Sequence, residues 1–253
     1  MTSRSTDWPY PALIAHRGGG HLAPENTLAA MRAGVAHGFT FFEYDVKLTQ
    51  DNVLILLHDD TVDRTTNGTG EAANMTWAEL SQLDAGSWFG PEFANERIPT
   101  FEAVAQFTQA NGIASNVEIK PCPGREAETG TAVALAARAL WKGVRTPPLL
   151  SSFSEEALAA AHVAAPELPR ALLVEAVPSD WHARVVQHDC RALNVSHKHL
   201  TRDLIHAAHT LGYEVATYTV NDPARAELLF SWGVDGIFTD ALAQIRPTSK
   251  GAK

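Results

Sequence analysis

Four short segments of this 253-residue chain hold residues whose chemistry packing alone does not explain. The first is His16-Arg17-Gly18-Gly19-Gly20, at the end of an apolar stretch. The glycines permit a sharp turn and a close approach of a ligand. A lone His here would read as a structural residue. An Arg and three Gly directly behind it favour a site. The second segment is FFEYDVK, 41–47. Residues i and i+2 of a strand share a face, so Phe41, Glu43 and Asp45 point one way and Phe42, Tyr44 and Val46 the other. Two carboxylates on one face repel unless a cation lies between them. Such oxygen ligands suit Mg²⁺ or Ca²⁺ rather than Zn²⁺. The plain alternative is an exposed acidic strand, which the flanking apolar residues argue against. The third segment, NVEIK, places Glu118 two residues before Lys120. Glu118 is a third carboxylate for the cation, and Lys120 offers a point charge to a phosphate oxygen. An ordinary Glu–Lys ion pair is the bland reading. The fourth, VLILLHDD, ends in His58-Asp59-Asp60. If His58 faces His16, two imidazoles make an acid–base pair suited to neutral pH. Two His, an Arg, a Lys and three carboxylates form the inventory for metal-assisted cleavage of a phosphate ester.

These segments need a scaffold that brings strand ends together. Strand-like runs fall at 12–17, 40–47, 115–120, 149–153, 171–175, 192–197, 213–220 and 235–239. Helix-like segments fall between most of them, at 26–37, 130–142, 154–164, 201–211 and 222–232. Ser154 and Asn221-Asp222-Pro223 read as helix starts, and Gly38, Gly143, Gly212 and Gly233 as helix stops. Repeated β–α units imply parallel strands with helical crossovers. Eight strands favour a closed (β/α)8 TIM barrel, whose active site lies at the carboxyl ends of the strands. The rhythm breaks at 50–114, so the expectation is one domain over 10–245 with a small insertion after the second barrel strand.

Composition narrows the function classes. A length near 250 residues with 45% hydrophobic and 19% charged residues is that of one globular domain. The net charge of -9 disfavours nucleic acid as a partner, although a bound cation can reverse the local sign for a phosphate. Cys122 and Cys190 form no CxxC pattern, which points away from a disulfide framework and a Cys-based zinc site. The N-terminal residues show no secretory pattern, and no apolar run reaches membrane-spanning length. A cytoplasmic protein with no stable membrane association is expected.

The motifs AHRGGGHLAPENTLAA (15–30), FFEYDVKLT (41–49), LLHDDTVDRTTNGTG (56–70), NVEIKP (116–121), PPLLSSF (147–153), YTVN (218–221) and WGVDGIFTD (232–240) resemble the glycerophosphodiester phosphodiesterases, in order and spacing. The cytosolic bacterial members are the nearest match. The resemblance implies a TIM barrel and one divalent cation, Mg²⁺ or Ca²⁺, on Glu43, Asp45 and Glu118. It implies His16 and His58 as the acid–base pair, with Arg17 and Lys120 on the phosphate. The substrate would be a small glycerophosphodiester, cleaved to sn-glycerol 3-phosphate and an alcohol in the breakdown of phospholipid products. A homodimer is left open. The run Pro24-Glu25-Asn26-Thr27 reads as structural: Asn26 or Thr27 caps the first helix and Glu25 braces the mouth. Tyr218 stands where many members carry Trp and keeps an aromatic wall. A lysophospholipase D-like enzyme on the same scaffold, a sugar-phosphate barrel and a non-catalytic phosphodiester-binding protein are the rivals. Outside the motifs, His206 and His209 read as a solvated helix face. His197 and His199 read as mouth-lining or partly buried, and Trp88 and Phe89 as packing.

Overall fold

The computed structural model describes residues 8–247. Nine strands among these residues are β1 (Leu13–Ala15), β2 (Phe41–Leu48), β3 (Leu54–Leu56), β4 (Ala114–Ile119), β5 (Leu149–Ser152), β6 (Arg170–Val174), β7 (Ala192–Ser196), β8 (Glu214–Tyr218) and β9 (Gly236–Thr239). Eight of them run parallel in the order β1-β2-β4-β5-β6-β7-β8-β9. The sheet closes on itself, because β1 pairs with β2 through Ala15 and Phe42 and with β9 from Leu13 to Ala15. This is a TIM barrel. β3 is an extra antiparallel strand that pairs with the last three residues of β2.

Helices α1 (Leu28–Ala36), α3 (Phe101–Ala110), α4 (Glu126–Leu140), α5 (Glu155–Ala164), α6 (Trp181–Gln187), α7 (Arg202–Thr210) and α8 (Pro223–Trp232) are the crossovers, and the short α2 (Trp77–Leu80) belongs to the insertion. Local chemistry sets their ends. Thr27, Ser154 and Asp222 each accept a hydrogen bond from an N–H of the first turn, and Pro223 occupies the first helical position. Gly38, Gly143, Gly212 and Gly233 all follow helices with φ between +80° and +96°, which a side chain would resist. The sequence pattern gives no helix at α6, because Val185 is its one buried residue and so leaves no apolar stripe.

Helix α3 crosses from β2 to β4 and packs against α4 and β4. The segment outside the β/α rhythm is therefore 49–100, shorter than the expected 50–114. It has a core of its own in which Ile55, Leu57, Val62, Ala72, Leu80, Ala85 and Ile98 are buried.

The period-2 reading of β2 holds. Phe41 lies inside the barrel with Ile14, Leu149, Ala171, Ala192, Ala216 and Phe238. Phe42, Tyr44 and Val46 join the core between barrel and helices. Tyr10 stacks on Phe41 at 5.1 Å and closes the amino-terminal end, its hydroxyl donating to the Pro147 carbonyl. The inward-facing polar residues Glu43, Asp45, Asn116 and Glu118 thus open toward the carboxyl end.

The loop after β1 depends on one close approach. A Cβ on Gly34 of α1 would lie 2.3 Å from the Gly18 carbonyl oxygen and 2.8 Å from the Phe42 ring. Alanine favours a helix interior over glycine by ~1 kcal/mol, so a net loss on Gly34→Ala isolates the cost of that contact. We expect Gly34→Ala to lower Tm by several degrees, for an overpacking cost of ~1–3 kcal/mol. Thermal denaturation of the two proteins checks this, and an equal or higher Tm would show that the helix is not set by the contact.

Candidate active site

The carboxyl ends of β1, β2 and β4 and the insertion bring all seven expected residues to one cavity of about 160 Å³: His16, Arg17, Glu43, Asp45, His58, Glu118 and Lys120. Parallel pairing of β2 with β4 sets Asp45 beside Glu118 and Glu43 beside Asn116. Glu43, Asp45 and Glu118 are buried, and each offers an oxygen within 4.8 Å of the others. Phe153, Leu173, Tyr218 and Phe238 form the other wall.

The turn after β1 serves this cluster. Arg17 adopts φ +53°, a left-handed conformation that a non-glycine residue adopts only when its surroundings hold it there. In that conformation the Arg17 backbone N–H donates to Glu43 Oε2 at 2.9 Å. Its side chain reaches Glu25 Oε1 at 2.6 Å and lies 3.6 Å from Asp45 Oδ2. Lys120 Nζ donates to Glu118 Oε1 at 2.8 Å and lies 3.7 Å from Asp45 Oδ1. Asn26 grips Asp45 twice: Nδ2 donates to Oδ2 at 2.9 Å, and Oδ1 accepts the Asp45 backbone N–H at 3.1 Å. Of the two candidate caps for α1, Thr27 is the one that caps, accepting from Ala30 N at 3.1 Å.

Each imidazole is held by a carboxylate. His16 Nδ1 lies 2.6 Å from Asp240 Oδ1, and His58 Nδ1 lies 2.7 Å from Asp59 Oδ1. An ionised carboxylate only accepts, so both neutral rings carry their proton on Nδ1 and leave Nε2 for chemistry. Nε2 of His16 is 3.9 Å from Glu43 Oε2. The sequence motif WGVDGIFTD contains Asp240, but nothing in it marks that residue as the orienter of a His 224 positions away. His58 sits where it does because β3 extends β2, and the Leu57 N–H donates to the Asp45 carbonyl at 3.2 Å. Beneath it the fully buried Lys47 donates to the Asp59 carbonyl at 2.6 Å and the Asp60 carboxylate at 2.9 Å. Lys47, Arg64 and Asp240 support these residues, and the sequence assigned none of them a role; Asn26, read there as a helix cap, holds Asp45 instead.

The remaining expected sites stay apart from the cavity. His206 is exposed, whereas His209 departs from a purely solvated face and pairs with Asp235 at 2.7 Å. His197 and His199 follow β7 without reaching the cavity. Trp88 packs edge-on against Phe89 and donates to the Ala85 carbonyl.

The electrostatics show what the carboxylates lack. Burial, then the charge of Asp45, pushes Glu43 up to about 8. The same two causes raise Glu118 to about 7, against the pull of Lys120. Asp45 goes the other way: burial opposes ionisation, but Arg17, Lys120 and His58 outweigh it. Burial also lowers His16, yet the Asp240 hydrogen bond and the Glu43 charge raise it overall. Burial first, then repulsion from Arg17 and Lys120, lowers His58. Glu43 Oε1 is buried with no hydrogen-bond partner. An unpaired buried oxygen beside two further carboxylates fits a hard divalent cation.

A carboxyl whose folded pKa exceeds its unfolded value holds its proton more tightly in the folded chain. It therefore costs stability as pH rises from its ordinary value of 4.5 through about 8. In EDTA, Glu43→Gln should match the wild type near pH 5 and exceed it near pH 8, by ~1–3 kcal/mol or a few degrees in Tm. Saturating Ca²⁺ or Mg²⁺ should reverse that order by stabilising the wild type more. Thermal melts at the two pH values, with and without cation, check this. A pH-independent difference would show that Glu43 is not strained by its neighbours.

Comparison with known proteins agrees with this geometry. The glycerophosphoryl diester phosphodiesterase family matches residues 16–244. A glycerophosphodiester phosphodiesterase of Caldanaerobacter subterraneus subsp. tengcongensis is 34% identical over 233 residues, 90% of this chain and 93% of the relative. One from Bacillus subtilis is 30% identical over 255 residues, 94% of this chain and 86% of the relative. Among solved structures, an Oleispira antarctica phosphodiesterase in complex with its product sn-glycerol-3-phosphate superposes with a TM-score of 0.87. It is 37% identical, over 92% of this chain and 94% of that one. The glycerophosphodiester phosphodiesterase of Agrobacterium tumefaciens gives a TM-score of 0.78 at 30% identity, over 92% of this chain and 98% of that one. No helix of the described residues is long and apolar enough to cross a membrane. With residues 16–244 matched and the polar cluster at the barrel's carboxyl end, the chain belongs to the glycerophosphoryl diester phosphodiesterase family and is a phosphoric diester hydrolase.

Proposed function

We propose that the protein hydrolyses small glycerophosphodiesters, such as glycerophosphocholine and glycerophosphoethanolamine, to sn-glycerol 3-phosphate and an alcohol, using one divalent cation. The observation that carries this reading is the pair of imidazoles, each tied at Nδ1 to its own carboxylate, beside three buried carboxylates in one cavity. The O. antarctica relative, crystallised with sn-glycerol-3-phosphate, supports the product class. Glu43, Asp45 and Glu118 would hold the cation, Mg²⁺ or Ca²⁺, which supplies Lewis-acid neutralisation of phosphate charge. The reading places the enzyme in the cytoplasm, among enzymes that recycle phospholipid breakdown products. The two buried free thiols, Cys122 and Cys190, suit a reducing compartment.

Arg17 and Lys120 bind the phosphate and counter the charge that grows on its oxygens in the transition state. One imidazole takes a proton from the nucleophile through Nε2, and the other delivers one to the departing alcohol oxygen. Asp240 and Asp59 keep both rings in the tautomer that can do so. The hydroxyl on the carbon next to the esterified one can reach phosphorus through a five-membered ring. Such an internal attack gains an effective molarity of up to ~10⁵–10⁸ M when well oriented. A cyclic phosphate then forms as the alcohol leaves, and water opens it with the two imidazoles in exchanged roles.

Two measurements test the reading. Release of sn-glycerol 3-phosphate from glycerophosphocholine should vanish after EDTA stripping and return with Mg²⁺ or Ca²⁺. His16→Ala and His58→Ala should each lose ~10²–10⁴-fold or more in turnover, and the double variant little beyond either. Full turnover by either single variant would remove that His from the pair. The second measurement compares glycerophosphocholine with an analogue lacking the neighbouring hydroxyl. The analogue should bind but turn over orders of magnitude more slowly. Equal turnover would make water the direct nucleophile.

A further inference from the structure

We infer that Arg64 is a positioning residue that ties the His58 imidazole to the Arg17 guanidinium, so that the group moving a proton and the group holding the phosphate form one unit. The inference rests on the function proposed above. Arg64 does not line the cavity, and its side chain is 45% exposed.

Its planar fork engages two carboxylates at once. Nε donates to Asp59 Oδ2 at 2.7 Å, and Nη2 to Asp59 Oδ1 at 3.0 Å. Nη1 donates to Glu25 Oε2 at 2.8 Å, and Nη2 to Glu25 Oε1 at 2.7 Å. Each carboxylate continues inward. Asp59 Oδ1 accepts a hydrogen bond from His58 Nδ1, and Glu25 Oε1 accepts one from Arg17 Nη1. The result is an unbroken chain, His58–Asp59–Arg64–Glu25–Arg17. It bridges the insertion and the loop after β1.

A single exposed ion pair contributes little, because water screens it and two side chains lose freedom. Arg64 differs in being bidentate at both ends, with partners whose other contacts lead into the cavity. The insertion does not need it for folding, having its own core and the Lys47 anchor beneath Asp59. What Arg64 adds is orientation. Without it, Asp59 swings and the His58 ring loses its fixed tautomer, while Glu25 loses the bond that opposes Arg17. Lysine cannot substitute, since a point charge does not hold two carboxylates in a fixed fork.

The test uses the cation-loaded full chain as wild type, Arg64→Gln, Arg64→Lys, His58→Ala and His58→Ala/Arg64→Gln. Release of sn-glycerol 3-phosphate from glycerophosphocholine is measured with Tm, and the His58 Nδ1 proton is followed by NMR. Arg64→Gln should lower kcat by ~10–100-fold, the usual effect of removing a group that orients a site residue, with Tm little changed. Arg64→Lys should recover only a small part. In the His58→Ala background the same substitution should cost several-fold less, because one group through which Arg64 acts is gone. The His58 Nδ1 proton should exchange slowly in the wild type and rapidly in Arg64→Gln. A kcat for Arg64→Gln within about twofold of wild type, an undiminished effect without His58, or an unchanged ring proton would each overturn the assignment. If the wild type releases no sn-glycerol 3-phosphate from any glycerophosphodiester, the functional reading fails, and the ring-proton comparison alone then decides the role of Arg64.

Discussion

Three carboxylates that share one buried spot set the terms for the rest of the molecule. Removing a carboxylate from water is costly, and placing two more beside it raises the cost. The fold answers with groups from four residues. Arg17 supplies a guanidinium and a backbone N–H, Lys120 an ammonium, Asn26 an amide and His16 an imidazole. These favour the ionised form at Asp45 but leave Glu43 and Glu118 raised. The imbalance is that of a site built for one further positive charge. Its strain also explains why the turn after β1 tolerates Arg17 in a left-handed conformation: that geometry is what aims a backbone N–H at Glu43.

The second constraint is delivery. A barrel strand end can present His16 directly, but the insertion must carry His58 to the same mouth. β2 solves this by running beyond its parallel partners, so that its last residues pair with β3. The chain then returns to the mouth at Leu57 and His58. Lys47 sits two residues beyond Asp45 on the same strand face, and its buried ammonium fixes the backbone just after His58. One strand therefore contributes two carboxylates to the cluster and the anchor for the opposing imidazole. A buried lysine is tolerated because the Asp59 carbonyl and the Asp60 carboxylate lie within hydrogen-bond reach of its ammonium.

What the sequence made legible follows the range of the interaction. Strand alternation places Glu43 with Asp45 and Glu118 with Lys120 without any tertiary knowledge, and β–α recurrence gives the barrel. Helix starts and stops are equally local, which is why Ser154, Asp222 and the glycines after helices stand as read. The pairs that orient the site are not local. Asp240 meets His16 across 224 residues, and Glu25 meets Arg64 across 39. Asn26 could be read as a helix cap from its neighbours, but Asp45 competes for its amide and Thr27 takes the cap. The end of the insertion was obscured because α3 follows a long irregular stretch, and only its packing on β4 and α4 shows that it belongs to the ring.

The barrel divides its mouth unequally. Charged residues come from β1, β2, β4 and the insertion, while β5, β6, β8 and β9 contribute Phe153, Leu173, Tyr218 and Phe238. Lys120 stands at the boundary, its Nζ 5.5 Å from the centre of the Phe153 ring. The Tyr218 hydroxyl is turned away from the charged half and donates to the Val174 carbonyl, so its ring presents an apolar surface. Phe153 meets that ring edge-on at 5.7 Å. A phosphodiester has the matching asymmetry, with its charge on one group and hydrocarbon on either side. Anchoring the phosphate on the charged half leaves a short carbon skeleton to lie on the aromatic half, where contact depends on shape more than on hydrogen bonding. With the proposed substrate, the division would orient the phosphodiester before any proton moves, and it follows from which strands carry acidic residues at inward positions.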